Sequence, residues 1–182
     1  MELTAKIVRD LITYNPDTGK LFWKERPNQK LFNKGYAGKE TFTAITLRES
    51  GEIGRLDGRL FNKTYSAHRI AWLIYYGEWP KGQIDHINHD PTDNRIKNIR
   101  DVTASENNRN RTLQKNNKVN FNGVFFDKQT NRYRAQIKID GVKKCLGRYD
   151  TVEEAIAARK VADINYNFHP NHGNSKGKEI NA

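Results

Sequence analysis

The stretch from Gln83 to Arg111 gathers residue types that suit the hydrolysis of a phosphodiester. Asp85 and His86 are adjacent within a short strand-like run, Ile84 to Ile87. A loop follows, Asn88 to Asn94, rich in Asn and Asp with one Pro. Thr103-Ala-Ser-Glu106 has the form of a capping box, which puts Asn107 in the first turn of a helix. A strand, a loop and a helix start can bring Asp85, His86 and Asn107 together. Asp85 offers a hard anionic oxygen and Asn107 a neutral amide oxygen. Two such ligands would hold one divalent ion, Mg²⁺ or Mn²⁺, and leave positions for phosphate oxygens and water. That ion would stabilise the leaving oxygen and the charge of the transition state. His86, with an ordinary pKa near ~6.5, can be neutral at pH 7 and take a proton from an attacking water. Asn98 can hydrogen-bond the imidazole and hold the loop backbone. Neighbours on a regular strand point to opposite faces, so Asp85 and His86 share a site only if the strand bends or ends between them.

These residues resemble the HNH nuclease motif, in the variant common in phage and intron-encoded homing endonucleases. The resemblance rests on Asp85-His86, on Asn98 in Asn-Ile-Arg, and on Asn107 in Ser-Glu-Asn. Asp93-Asn94-Arg95, Asn107-Asn-Arg-Asn110 and Ala67-His68-Arg69-Ile-Ala-Trp72 fit the same pattern. It implies a ββα-metal fold and a metal-dependent DNA endonuclease. His86 would be the general base, Asp85 and Asn107 the metal ligands, and Asn98 the residue that orients His86. The third letter is Asn107 rather than His, which within this family favours Mg²⁺ or Mn²⁺ over Zn²⁺. One such site cuts one strand at a time, and monomer and dimer both stay open.

The elements that must position these groups are legible in part. Apolar residues recur at helical spacing from Leu3 to Ile12 and from His68 to Tyr76, the second closed by Gly77. Lys20 to Glu25 reads as a strand, and so does Thr41 to Leu47. Asp57-Gly58 suggests a hairpin turn. An Asn-rich linker or arm spans residues 114–122. Beyond it, Arg132 to Ile139 alternates without a break, Asp140-Gly141 turns the chain, and Val142 to Tyr149 returns. Thr151-Val-Glu-Glu154 caps an Ala-rich helix running to about Phe168. The expected division is a nuclease domain over 1–113, the linker, a second domain over 123–172 and a flexible tail over 173–182.

On the alternating strand Arg132, Arg134, Gln136 and Lys138 share one face, and Tyr133, Ala135, Ile137 and Ile139 the other. Lys143 has the parity to join the first face from the return strand. An exposed sheet of this kind can enter the major groove, where Arg and Lys reach guanine and phosphate and Gln reads adenine. Arg109 and Arg111, just past the capping box, are further expected DNA contacts. The segment resembles an AP2 DNA-binding domain, a three-stranded antiparallel sheet packed on one helix. The matching residues are Gly123-Val124-Phe-Phe, Tyr133-Arg-Ala-Gln-Ile, Leu146-Gly147-Arg-Tyr149-Asp-Thr and the Glu-Glu-Ala-Ile-Ala-Ala helix. Cys145 stands where that family often has an aromatic. The whole chain is therefore expected to be α+β.

Bulk properties agree. The chain has 182 residues and a formal net charge of +11, from 32 Lys and Arg against 21 Asp and Glu. So basic a protein suits a polyanionic partner, here double-stranded DNA rather than a membrane or a small-molecule substrate. No apolar run approaches the ~20 residues of a membrane span. One cysteine excludes an internal disulfide framework and a Cys-rich zinc site. The N-terminus shows no secretion signal, so the cytoplasm of a host cell is the expected compartment, with a phage origin implied by the resemblance. His68 is read as packing within the fold and His89 as solvated. His169 and His172 are read as no metal pair. The competing functional reading is a DNA-binding protein without catalysis. An RNA-binding module is disfavoured because the sheet lacks exposed aromatics for stacking.

Overall fold

A computed structural model describes residues 3–49, 51–108, 118–168 and 172. It divides into two compact units, Met1–Val102 and Thr103–Ala182.

In the first unit Thr4 caps helix α1 (Ala5–Leu11), its Oγ1 accepting from the Ile7 amide at 3.4 Å. The chain then extends at once into β1 (Ile12–Asn15), which pairs with β2 (Lys20–Trp23). The turn between them is closed by the Asn15 side chain, which accepts from the amides of Asp17 and Thr18. After helix α2 (Lys30–Tyr36), the short β3 (Glu40–Thr41) pairs with β2 and completes this sheet. A second sheet is formed by β4 (Ala44–Leu47), β5 (Ile53–Leu60) and β6 (Lys63–Ser66). Helix α3 (Ala67–Tyr76) follows, closed by Gly77 in the left-handed region. Then β7 (Gln83–His86) pairs antiparallel with β8 (Ile99–Val102). The core joins Val8 and Ile12 to Leu21, Ile70, Leu73 and Ile99. Each such side chain contributes roughly 1.5–3 kcal/mol on burial. This core fixes β7 and β8 against α1 and α3.

Two readings of local chemistry are corrected here. Thr41 to Leu47 is not one strand: Phe42 takes a left-handed φ of 60° and separates β3 from β4. Its side chain turns into the core, with 3% of its surface exposed. Asp57-Gly58 is not a turn but lies within β5. Gly58 is there because the Phe42 ring packs where a Cβ would stand, 2.6 Å away. The turn comes at Phe61-Asn62, both with positive φ, between the paired Leu60 and Lys63.

In the second unit the Thr103 capping box forms as expected. The Thr103 amide donates to Glu106 Oε2 at 2.8 Å, and the Glu106 amide to Thr103 Oγ1 at 3.3 Å. It opens α4 (Ala104–Asn108). Strands β9 (Val124–Asp127), β10 (Arg132–Ile139) and β11 (Val142–Tyr149) form an antiparallel sheet in the order β11-β10-β9. Helix α5 (Val152–Asn165) starts from the Thr151–Glu154 capping box. Val124, Ala135 and Ala155 form a small core, with Tyr133, Leu146, Tyr149, Val152 and Ile156 around it. Val119 and Phe121, within the expected linker, also pack there. Arg159 of α5, only 3% exposed, bonds Asp163 and the backbone oxygens of Asn122 and Gln136. The chain is thus mixed α and β, with several small antiparallel sheets. Residues 114–117, His169 and the expected tail lie outside the described residues. Among the described residues no helix is long and apolar enough to cross a membrane.

Candidate active site and cationic face

Strand β7 ends at His86, where the His89 amide bonds the His86 carbonyl at 3.0 Å and turns the chain. Asp85 and His86 both lie within β7, paired with Arg100 and Ile99 of β8, so the strand ends after the pair and not between its two residues. Asp85 is 7% exposed and lies opposite Arg100 of β8. Arg100 donates to Asp85 Oδ2 through Nε at 2.9 Å and Nη2 at 2.7 Å.

The His86 imidazole is half-buried, and its Nε2 stands 3.1 Å from Asn94 Oδ1. Burial pushes its pKa below the ordinary imidazole value; the bond to Asn94 and the carboxylates of Asp85, Asp90 and Asp93 oppose that fall. The ring also meets His68, edge to face, with centroids 5.3 Å apart at 87°. His68 packs within the fold as expected, and its Nδ1 is buried with no hydrogen-bond partner among the described residues. Burial drives the His68 pKa down to about 3, helped by His86, Arg55 and Arg69 and opposed by Asp57. At neutral pH both imidazoles are uncharged.

The loop between β7 and β8 is tied by its own polar side chains. Asn98 accepts from the Asn88 amide at 3.0 Å and donates to the Asp93 carbonyl at 2.7 Å. Its carbonyl accepts from the Ile87 amide at 2.9 Å. Asn88 reaches Asp93 at 2.8 Å, and Asp90 accepts from Thr92. Burial works against the charge on Asp93, but its bonds to Arg95 and Asn88 hold it below the usual carboxylate range. Of the two roles expected of Asn98, it performs the second. Its amide is committed to the loop backbone, and Asn94 meets the imidazole in its place. The sequence named Asn94 only as part of the matching pattern and gave it no role, because its loop has the composition of a solvated turn, whereas its side chain is 2% exposed. His89, expected to be solvated, is half-buried with a left-handed backbone.

Asn107 stands on α4, in the second unit, its amide bonded to the Thr103 carbonyl at 3.0 Å. Arg109 and Arg111 lie outside the described residues. Among the described residues no three His, Cys, Asp or Glu side chains form a metal-holding group. An ion that keeps several waters and takes phosphate oxygens from its substrate requires no such group.

On the second unit's sheet the alternation holds. Ala135 and Ile137 are buried, while Arg132 and Lys138 are exposed on the other face with Arg134 and Gln136 half-buried beside them. Lys143 pairs with Lys138 and therefore shares that face. Arg148 was not anticipated. A bulge between Ala135 and Gln136 makes Leu146 the extra residue of β11, which brings Arg148 opposite Arg134. Phe125, opposite Arg134 on β9, is 37% exposed. The expectation that the sheet lacks exposed aromatics is therefore corrected. Arg132 is held by Asp150 at 2.7 and 2.9 Å, and Arg148 lies 3.6 Å from Asp127. Arg134 has a buried Nε with no hydrogen-bond partner among the described residues.

Residues 65–109 match the family model of HNH endonucleases, a span that runs from β6 through α3, β7 and β8 to α4. This match supports the expectation of a DNA-cleaving enzyme, and nucleases of this family generally use a divalent metal. No curated protein matches the chain. A solved structure describing DNA binding and cleavage by the HNH homing endonuclease I-HmuI is similar at 20% identity, over 90% of this chain and 89% of that one, with a TM-score of 0.39.

Proposed function

We propose that the protein is a metal-dependent DNA endonuclease of the homing type, with His86 as its general base. The observation that carries this reading is the Asp85-His86 pair at the end of β7, within the segment that matches the HNH model. The His86 imidazole is kept neutral by burial, so it is ready to accept the proton of a water attacking phosphorus. Asp85 and Asn107 are the oxygen donors that would hold one Mg²⁺ or Mn²⁺. Their chemistry fits that role: a carboxylate and an amide oxygen are hard ligands. When bound, the ion supplies charge stabilisation for the phosphoryl oxygens and the leaving group. Asn98 acts by holding the loop that carries Asn94, and so His86, in register.

The second unit supplies grip on double-stranded DNA. It resembles an AP2 domain in being three strands packed on one helix. Its face of Arg132, Arg134, Gln136, Lys138 and Lys143 suits a major groove, and Arg109 and Arg111 are further basic contacts. The deciding experiment is cleavage of a supercoiled plasmid in Mg²⁺, Mn²⁺ or EDTA by the full chain and by His86→Ala. Cleavage in a divalent metal, lost in EDTA and in the variant while DNA binding persists, is the expected result. Binding without cleavage in every metal would leave the non-catalytic reading standing.

A further inference from the structure

Asn94 is among the largest fully buried side chains of the described residues, and its burial is enforced from a part of the chain distant in sequence. The Tyr14 hydroxyl of β1 donates to the Asn94 carbonyl oxygen at 2.7 Å in a buried bond. Burial, with Tyr75 and Asp93 adding to it, raises the pKa of that hydroxyl, so it stays a donor. The turn of the same hairpin grips the next residues, the Ile96 amide donating to the Pro16 carbonyl at 3.0 Å. Gly19 closes that turn at a φ of +74°, and a Cβ there would stand 2.6 Å from both the Asn94 carbonyl carbon and the Arg95 nitrogen. Only a glycine permits so close an approach at that conformation. The β1–β2 hairpin therefore clamps the backbone of residues 94–96 from three points.

The side chain so placed presents an amide oxygen to a histidine. A neutral imidazole has one N–H and one lone pair, and an amide oxygen only accepts. Asn94 Oδ1 at 3.1 Å from His86 Nε2 therefore requires the proton on Nε2, which leaves the lone pair on Nδ1. His68 presses on the same ring edge to face and limits its rotation.

We propose that Asn94 is the positioning residue that sets the His86 tautomer, and that the β1–β2 hairpin, through Tyr14, Pro16 and Gly19, holds Asn94 to that task. The consequence for catalysis rests on the reading of His86 as the general base: a base with its lone pair on the wrong nitrogen cannot take the proton from water. The assignment of the tautomer itself does not depend on that reading.

Two-bond ¹H–¹⁵N correlations of the imidazoles in the ¹⁵N-labelled full chain at neutral pH test it, with the His86 signals assigned by their loss in His86→Ala. The wild type is expected in the Nε2–H form. Asn94→Ala should mix the tautomers, and Asn94→Asp, which keeps an acceptor oxygen in place, should restore Nε2–H. Gly19→Ala, which pushes the hairpin off the loop, should mix them as well while leaving Asn94 itself intact. In cleavage assays Asn94→Ala should lower kcat by on the order of 10²-fold or more with KM for DNA little changed. An Nδ1–H wild type, or an unaltered tautomer in a folded Asn94→Ala, overturns the proposal whether or not the protein cuts DNA. A wild type that shows the Nε2–H form and no cleavage instead overturns the nuclease reading and leaves the role of Asn94 in place.

Discussion

The guanidinium of Arg100 donates both Nε and Nη2 to one oxygen, Oδ2, of Asp85. The pair is formed across β7 and β8, and the Asp85 side chain is almost wholly enclosed. Arg100 thus places a positive charge against a nearly buried carboxylate, and it contests the same lone pairs that a metal ion would take. These effects separate in Arg100→Gln. Without metal the variant should lose on the order of 1–3 kcal/mol, the cost of taking one charged partner from a nearly buried carboxylate, reduced by the exposure of Arg100. Mn²⁺ should then raise its Tm by more than it raises that of the wild type, because no guanidinium has to yield. Thermal melts in EDTA and in Mn²⁺ measure both. Equal metal-dependent shifts in the two proteins would remove the competition from the account.

How much was legible follows from what each residue's role depends on. The strand Arg132–Ile139 and the capping boxes at Thr103 and Thr151 were readable because their signals are local: an unbroken period of two, and a hydroxyl and a carboxylate at fixed spacing. Asp85-His86 was readable because an ionisable pair in a short apolar run is unusual in itself. Asp57-Gly58 misled because its turn chemistry is real but was overridden by packing: Gly58 serves the Phe42 ring, not a turn. Arg148 was hidden by the bulge, which shifts the parity of every residue after Leu146. Asn94 was hidden for a different reason. The loop has several Asn and Asp residues of equal propensity, and only the hairpin at Tyr14 and Gly19 decides which one is driven inward.

His68 makes a prediction about acid stability. The unfolded chain protonates this imidazole near about 6.5, while the folded chain does so only near about 3. Between those values the unfolded state binds more protons, so stability is full above about pH 6.5, declines as acid is added, and the contribution is lost once pH has fallen through about 3. At about pH 5 the loss from this group is about 2 kcal/mol. Because Nδ1 has no partner among the described residues, His68→Phe removes the titration without orphaning another of their groups. Urea unfolding at pH 7 and at pH 5 should show the variant losing about 2 kcal/mol less than the wild type on acidification. The same pH dependence in both proteins would mean that His68 takes up its proton without unfolding.

The cations on the second unit's sheet are not equivalent, and DNA binding should expose the difference. Arg132 is engaged by Asp150 through two bonds, so its charge is already matched. Arg134, between Phe125 and Arg148 across the strands, has a buried Nε with no partner among the described residues, and Lys138 is exposed beside Lys143. A cation that pairs with a phosphate releases counterions, so removing one such cation should flatten the slope of log K against log salt by about one. Arg134→Ala and Lys138→Ala should each do so. Deleting the matched pair, Arg132→Ala together with Asp150→Asn, removes no net charge and should change the slope little. Asp150→Asn alone frees Arg132 and should tighten binding and steepen the slope. Fluorescence anisotropy with a duplex over a salt series distinguishes these cases. If the pair deletion costs as much as Arg134→Ala, then Arg132 leaves Asp150 for phosphate when DNA arrives, and the whole row grips the backbone equally.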